Sequence, residues 1–169
     1  MKLHVVVSST RPGRVGPLIA DWFAGQVDPD SDKGGFDVEI IDLARVGLPM
    51  LDEPNHPAEQ QYVHEHTRNW SASVAAADAF VFVMAEYNTG FTAPLKNALD
   101  YLYSEWHHKP VGFVSYGMTS AGSYHTLSVG AQTIADAAWV YAVPFAEVSE
   151  VAGYLSFDGS GIEVLVTDD

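Results

Sequence analysis

The 169-residue chain contains no cysteine, few basic residues and no long apolar run. The absence of cysteine excludes disulfides, thiolate metal ligands and thiol nucleophiles, and it is consistent with a reducing cytoplasm. Eight basic against 22 acidic residues give a formal net charge of −14, which argues against a surface for nucleic acid or anionic membrane. No stretch approaches the roughly 20 apolar residues that a membrane-spanning helix needs. We therefore expect a cytoplasmic protein without a nucleic-acid or membrane partner.

Short apolar runs alternate with segments of helical spacing along the chain. The runs are rich in Val, Ile and Phe, as is typical of strands buried on both faces of a sheet. The predicted strands are residues 3–8, 36–42, 79–84, 111–115 and 140–145. Four helices are predicted: the first begins near Pro17, and the others cover about 58–77, 92–103 and 123–138. This alternation, with right-handed crossovers, predicts an α/β three-layer sandwich with a five-stranded parallel sheet in the order 2-1-3-4-5 and helices on both faces.

We expect residues 1–169 to form a single domain, with residues 146–169 as an irregular C-terminal extension. Short strands are predicted within the extension at 154–157 and 162–167, joined by a Gly-rich turn.

Loop 1, residues 8–16, follows the first predicted strand and reads Ser-Ser-Thr-Arg-Pro-Gly-Arg-Val-Gly. Hydroxyls, backbone N–H groups at a helix start and the guanidiniums of Arg11 and Arg14 are donors that bind phosphate. The alternative is an ordinary strand-to-helix turn with a solvated pair of arginines. Neither a Walker A motif nor Gly-x-Gly-x-x-Gly is present, so a single terminal phosphate is favoured over a dinucleotide.

Loop 3, residues 85–91, reads Ala-Glu-Tyr-Asn-Thr-Gly-Phe and precedes a predicted helix. Its backbone groups, the Asn88 amide and the aromatic rings could receive a flat ring. The alternative is that Asn88 and Thr92 cap the helix while Tyr87 and Phe91 lie in the core. In the predicted strand order, loops 1 and 3 face each other across the switch point between strands 1 and 3. Loop 4, residues 115–122, would flank loop 3, either approaching a ligand closely or forming a flexible turn.

Taken together, these motifs resemble the NADPH-dependent FMN reductase family of flavodoxin-like proteins, which includes azo, quinone and chromate reductases. The resemblance covers residues 3–145 and rests on Ser-Thr-Arg-Pro-Gly-Arg-Val-Gly at 9–16 and on Glu-Tyr-Asn at 86–88 followed by Leu-Lys-Asn-Ala-Leu-Asp at 95–100. It implies an enzyme that transfers hydride from NADPH or NADH, through bound FMN, to a flavin, quinone, azo or similar small-molecule acceptor. No catalytic side chain is expected, because the flavin carries the chemistry.

The resemblance also implies which residues contact the cofactor. Loop 1 would hold the FMN phosphate, loop 3 the isoalloxazine edge, and loop 4 would approach the pyrimidine side of the ring. The implied residues are Ser9, Arg11, Arg14, Val15 and Gly16 in loop 1, Ala85, Glu86, Tyr87 and Asn88 in loop 3, and Ser115, Tyr116 and Gly117 in loop 4.

The chain departs from the family pattern at three places. Ser8 stands where glycine is usual, Ala85 stands where proline is usual, and residues 117–122 lack the paired glycines that relatives often have. If the departure in loop 4 blocks the nicotinamide, the alternative is a non-enzymatic FMN-binding electron carrier or redox-sensing protein. A third hypothesis is that the chain is a flavodoxin-like scaffold that has lost its cofactor.

Two further predictions concern subunits and metals. The predicted helix 92–103 has an apolar stripe with extra aromatic residues nearby, and the resemblance implies a homodimer or homotetramer formed through this region. His64 and His66 are two positions apart, about 200° around a helix, and so are not expected to share a metal ion. Because the chain has neither cysteine nor a His-Glu-x-x-His motif, no metal site is predicted.

Overall fold

The structure is a computed structural model that describes residues 1–27, 35–117, 126, 129–130, 132–134, 154–157 and 162–165. Its strands are β1 (Lys2–Val7), β2 (Asp37–Asp42), β3 (Ala79–Ala85), β4 (Val111–Tyr116), β5 (Tyr154–Phe157) and β6 (Ile162–Leu165). Its α-helices are α1 (Gly16–Gln26), α2 (Leu43–Val46), α3 (Glu65–Ala76) and α4 (Ala93–Asp100), and single 3-10 turns occur at Pro57–Glu59 and Ser104–Trp106.

The first four strands form a parallel sheet in the order β2-β1-β3-β4. The predicted strand order is thereby confirmed as far as the fourth strand, and the predicted fifth strand, 140–145, lies outside the described residues. The register pairs Val7 with Asp42 on one side and with Val83 on the other. The carboxyl ends of these three strands therefore meet at one edge of the sheet.

Successive side chains of β1 and β3 pack into two cores on opposite faces of the sheet, as the pleat requires. One core joins the sheet to α1, through Ile19 and Ala20. The other joins it to α3 and α4, where Trp70 Nε1 also donates to Ala98 O at 2.9 Å. Because both faces are covered, β3 is apolar throughout and β1 is apolar apart from Lys2 and the buried His4, and this pattern made the two central strands recognisable in the sequence.

Several element boundaries differ from the prediction. The helix expected at 58–77 begins only at Glu65, because the N–H groups of Val63 and His64 donate to the Glu53 carboxylate instead of continuing a helix. α4 ends at Asp100 rather than at 103. α2 was not predicted; it begins where Asp42 Oδ1 accepts a hydrogen bond from the Ala44 N–H. Of the helix expected at 123–138, the described residues 126, 129–130 and 132–134 are helical.

The C-terminal extension contains the two short strands that the sequence predicts. β5 and β6 pair antiparallel, with Tyr154 opposite Leu165. Helices with the length and apolar character that a membrane crossing requires do not occur in the described part of the chain.

Candidate functional site

Loops 1 and 3 lie side by side, because β1 and β3 are adjacent parallel strands that end at the same edge of the sheet. Ser8 N–H donates to Val83 O at 3.1 Å, directly after the last strand pair. The Ala85 N–H donates to Ser8 Oγ at 3.3 Å, and Thr92 Oγ1 donates to the Ser8 carbonyl oxygen at 2.8 Å. The structure therefore places the start of loop 1 against both ends of loop 3 at the switch point of the sheet.

Loop 1 carries hydrogen-bond donors that no described residue uses. Ser9 is buried and its Oγ has no hydrogen-bond partner in the described part of the chain; the same holds for the buried Nε of Arg14. The N–H groups of Ser9, Thr10 and Gly16 also lack an acceptor among those residues, and Gly16 opens α1. Buried donors without partners are destabilising, and a helix start favours an anion. Loop 1 therefore fits a phosphate group that accepts these bonds.

The two arginines of loop 1 have different environments. Arg14 Nη2 donates to Asp42 Oδ2 at 2.5 Å, and the Arg14 and Asp42 side chains are only 20% and 10% exposed. Arg11 is exposed and makes no ion pair with any described residue. Asp42 thus compensates most of the charge of Arg14, whereas the charge of Arg11 remains available to an anion. Sequence reasoning missed Asp42, although an acidic residue at the carboxyl end of the strand beside β1 is a usable indication.

Gly16 is required by close packing rather than by its backbone angles. A Cβ atom added here would lie 2.8 Å from Tyr116 Oη, 3.0 Å from Val7 Cγ1, and within van der Waals overlap of Ser9 Oγ. Tyr116 Oη is buried and has no hydrogen-bond partner in the described residues. Burial raises the pKa of the Tyr116 phenol, despite the nearby Ser9 hydroxyl and arginines, so this group remains a protonated donor. Loop 4 therefore places the Tyr116 hydroxyl next to Gly16, at the end of loop 1.

The centre of loop 3 is a two-residue turn of the kind that closes β-hairpins. Tyr87 and Gly90 exchange backbone hydrogen bonds of 2.8 and 3.2 Å, and both central residues, Asn88 and Thr89, have positive φ angles of 53° and 64°. The Glu86 carboxylate accepts from the Thr89 N–H at 2.6 Å. Tyr87 is 42% exposed. The turn thereby presents the Tyr87 ring and the Asn88 backbone to solvent at the edge of the switch point.

Within residues 85–90, Asn88 carries the single backbone N–H that has no acceptor in the described part of the chain. The Glu86 N–H donates to Tyr116 O at 2.8 Å, and the remaining N–H groups are used within loop 3 or by Ser8. A ring placed against this loop would therefore receive its backbone hydrogen bond from Asn88.

The capping interpretation of loop 3 is wrong for the two side chains on which it depended. Thr92 occupies the N-cap position of α4, but its side chain makes no cap hydrogen bond and donates to Ser8 O instead. Asn88 lies in the turn, away from the helix start. Of the two aromatic residues, Phe91 packs against the larger core and Tyr87 does not.

Replacing Thr89 with glycine should stabilise the protein. A β-branched residue with φ of 64° is strained, at a cost of order 1–3 kcal/mol, whereas glycine adopts this angle freely but loses more entropy on folding. We expect Thr89→Gly to raise the free energy of unfolding by about 1 kcal/mol in urea titrations. Thr89→Ala, which keeps the strained angle, should bring no such gain, and equal gains from both variants would contradict the strain.

The described part of loop 4 extends the site along the sheet edge. Ser115 pairs in register with Met84, and the carbonyl oxygen of Tyr116 accepts the Glu86 N–H. Gly117 is exposed. Residues 118–122, which hold the departure from the family pattern, lie outside the described residues.

His64 and His66 are closer together than their spacing predicted. His64 is the N-cap of α3 with φ −94° and ψ 143°, so the rotation of a continuous helix does not apply, and the two rings stack with centroids 5.1 Å apart. Although partial burial opposes it, hydrogen bonds with His66 and from Tyr101 hold the pKa of Asp52 below its usual range. Among the described residues, no group of three or more His, Asp or Glu side chains is arranged to hold a metal ion.

The sheet order, the helices on both faces and the paired loops at the switch point define a flavodoxin-like α/β protein. More particularly, the chain belongs to the NADPH-dependent FMN reductase family, whose family model matches residues 1–150.

Two relatives with similar sequences are named as NAD(P)H-dependent FMN reductases. An NAD(P)H-dependent FMN reductase from Schizosaccharomyces pombe is 43% identical over 123 residues, which are 72% of this chain and 60% of the relative. An NAD(P)H-dependent FMN reductase from Saccharomyces cerevisiae is 37% identical over 125 residues, or 69% of this chain and 65% of the relative. The chain thus spans less than two thirds of the length of these relatives.

Solved structures share the fold. FerB, a flavoenzyme NAD(P)H:(acceptor) oxidoreductase from Paracoccus denitrificans, matches 85% of this chain and 76% of its own with a TM-score of 0.63 at 17% identity. An oxidoreductase from Corynebacterium diphtheriae matches 85% of this chain and 78% of its own with a TM-score of 0.64 at 17% identity.

Proposed function

We propose that this chain is an FMN-dependent oxidoreductase that takes hydride from NADPH or NADH and passes it to a small-molecule acceptor. The observation that carries the proposal is the set of unused donors in loop 1, with the buried Ser9 Oγ at its centre, beside the exposed turn of loop 3. Bound FMN would supply the hydride chemistry, while the protein supplies binding and orientation.

The residues of the site have separate tasks in this proposal. Ser9 Oγ and the Gly16 N–H donate to the FMN phosphate, and Arg11 adds a charge-assisted contact. Asn88 N–H donates to the ring edge, where it stabilises negative charge that develops on reduction. Tyr87 offers an aromatic face to the ring. No side chain of the site is assigned a proton transfer, because bound FMN would supply the hydride chemistry.

The names of relatives support the acceptor classes. They include NAD(P)H-dependent FMN reductases, an NADPH azoreductase from Bacillus sp. and a probable NADPH:quinone oxidoreductase from Oryza sativa. We propose flavins, azo compounds and quinones as acceptors, each a flat ring system or conjugated group that can stack on an exposed flavin face.

The proposal is tested by loading the purified protein with FMN and mixing it with NADPH or NADH in a stopped-flow spectrometer. We expect bleaching of the flavin absorbance, turnover with an added quinone or azo dye, and parallel steady-state lines because both substrates use one site in turn. Flavin binding without nicotinamide oxidation would instead support an electron carrier. A protein that binds no FMN would contradict both.

Arg11→Ala should weaken FMN binding without lowering stability. The Arg11 guanidinium has no described ion-pair partner to lose, so its removal costs the folded protein little, but one charge-assisted bond to phosphate is lost. We expect the FMN dissociation constant to rise about tenfold, measured by fluorescence quenching. Arg45→Ala removes the same charge from a side chain that is 90% exposed and only 3.7 Å from Asp42 Oδ2, a weak contact whose loss should leave the constant unchanged. Equal effects of the two variants would contradict a role for Arg11 in loop 1.

A homodimer or homotetramer is part of the proposal. Met50, Leu51 and Val63 are 76%, 41% and 51% exposed, and their loop is fastened to α4 because Asn97 accepts the Leu51 N–H at 2.9 Å. This apolar surface beside α4 supports a subunit contact there. Sedimentation at micromolar concentration should give an oligomer that Met50→Glu dissociates and Leu18→Glu, at an exposed position of α1, does not.

We also propose the cytoplasm as the location, consistent with a chain that has no cysteine.

A further inference from the structure

Ser8, in loop 1, makes three hydrogen bonds: to Val83 in β3, to Ala85 at the start of loop 3 and to Thr92 directly after loop 3. It follows β1 and is fully buried. Its N–H donates to Val83 O at 3.1 Å, its Oγ accepts from the Ala85 N–H at 3.3 Å, and its carbonyl oxygen accepts from Thr92 Oγ1 at 2.8 Å. The partners of these three hydrogen bonds therefore lie in β3 or at an end of loop 3.

The side-chain and carbonyl bonds of Ser8 hold opposite ends of loop 3. Ala85 opens the loop, and Thr92 stands between its last residue and α4. The exposed turn lies between these two held ends. Ser9, the next residue after Ser8, begins the row of unused donors in loop 1. The separation between those donors and the turn of loop 3 is therefore set through Ser8.

The bond between Ser8 and Ala85 depends on both partners. Ala85 is only 3% exposed, and a buried N–H without an acceptor is destabilising. Glycine at position 8 would remove the acceptor, and proline at position 85 would remove the donor. A chain with glycine at position 8 and proline at position 85 would lack both polar groups, whereas in this chain Ser8 and Ala85 satisfy each other.

We propose that Ser8 is a positioning residue that holds the phosphate-binding donors of loop 1 and the ring-facing turn of loop 3 at the separation that FMN requires, with Ala85 as its reciprocal partner. This inference rests on the proposed function. It predicts that removing one partner disturbs FMN binding and that removing both restores it.

The test is a double-mutant cycle on the full 169-residue protein. Ser8→Ala, Ala85→Pro and the double variant are compared by their FMN dissociation constants and by the absorbance spectrum and reduction potential of the bound flavin. We expect each single variant to bind FMN about tenfold more weakly with an altered potential. The double variant should return to within about threefold of the wild-type constant and regain its potential.

Two controls separate positioning from general stability. Ser71→Ala removes a hydroxyl bond of 2.7 Å from α3 to Glu105 Oε1, outside both loops, and should lower stability without changing the FMN constant or potential. Thr92→Val removes the other bond to Ser8, and adding Ala85→Pro should not rescue it.

Ser8→Ala with the wild-type FMN constant and potential would overturn the positioning role, as would a double variant no better than the singles. If Ser8→Ala does not fold, a double variant that folds and binds FMN supports the pairing, and one that does not fold overturns it. A wild-type protein that binds no FMN overturns the proposed function and this inference together, whereas wild-type binding with an unaffected Ser8→Ala overturns the inference alone.

Discussion

Asp42→Ala should lower the free energy of unfolding by about 3 kcal/mol. The substitution leaves the Arg14 guanidinium without its carboxylate, in a pair whose side chains are 20% and 10% exposed, and we take about 2 kcal/mol for this partly buried charge. It also removes the Asp42 oxygen that caps α2 through the Ala44 N–H, a loss of about 1 kcal/mol. Urea titration of the FMN-free protein measures the sum.

Asp42→Asn separates the two contributions. Its amide oxygen can still accept from the Ala44 N–H, so about 2 kcal/mol should be lost instead of 3. Saturating FMN or inorganic phosphate should recover part of the loss in both variants, because an anion bound at loop 1 then partners Arg14. An Asp42→Ala protein as stable as wild type would show that the ion pair and the cap contribute nothing.

Gly16→Ala should damage both the fold and the site. The added Cβ would overlap Ser9 Oγ and lie 2.8 Å from Tyr116 Oη and 3.0 Å from Val7 Cγ1, so strand, loop and ring must all shift. Overpacking of this kind costs about 1–3 kcal/mol, and displacement of Ser9 removes its contact with the FMN phosphate. We expect FMN binding weakened by at least about tenfold, together with the stability loss.

Gly25 provides the matched control on the same helix. A Cβ atom added at Gly25 meets nothing within 4 Å, so Gly25→Ala gains helix propensity without a clash. It should stabilise the protein by about 0.5–1 kcal/mol and leave FMN binding unchanged. If both alanine variants behaved alike, close packing at Gly16 would not explain its identity.

Much of the fold could be predicted from local sequence patterns. Runs rich in Val, Ile and Phe predicted the four described strands of the parallel sheet, and their alternation with helical segments predicted the order β2-β1-β3-β4. The helix boundaries were harder to predict. The N–H groups that would extend α3 toward residue 58 are taken by the Glu53 carboxylate, a contact between separate segments that no helical periodicity records.

The candidate site, too, was predicted from the sequence in some features and not in others. Hydroxyls, arginines and small residues placed loop 1 and loop 3 among the ligand-binding candidates, and the strand order predicted that they would face each other. The different environments of Arg11 and Arg14 were not predictable in the same way. They differ because the register between β1 and β2 places Asp42 beside Arg14, and register is a property of the assembled sheet.

The sequence by itself determined the class of fold, the family and the two loops that form the candidate site, since each depends on residues that are neighbours along the chain. Only the tertiary structure decided that Thr92 ties down Ser8 instead of capping α4, that the Tyr116 hydroxyl lies beneath Gly16, and that Ser8 and Ala85 satisfy each other. Ser8 lies 77 positions from Ala85 and 84 from Thr92 along the chain. Contacts over such separations arise from strand pairing and packing, which local sequence patterns do not encode.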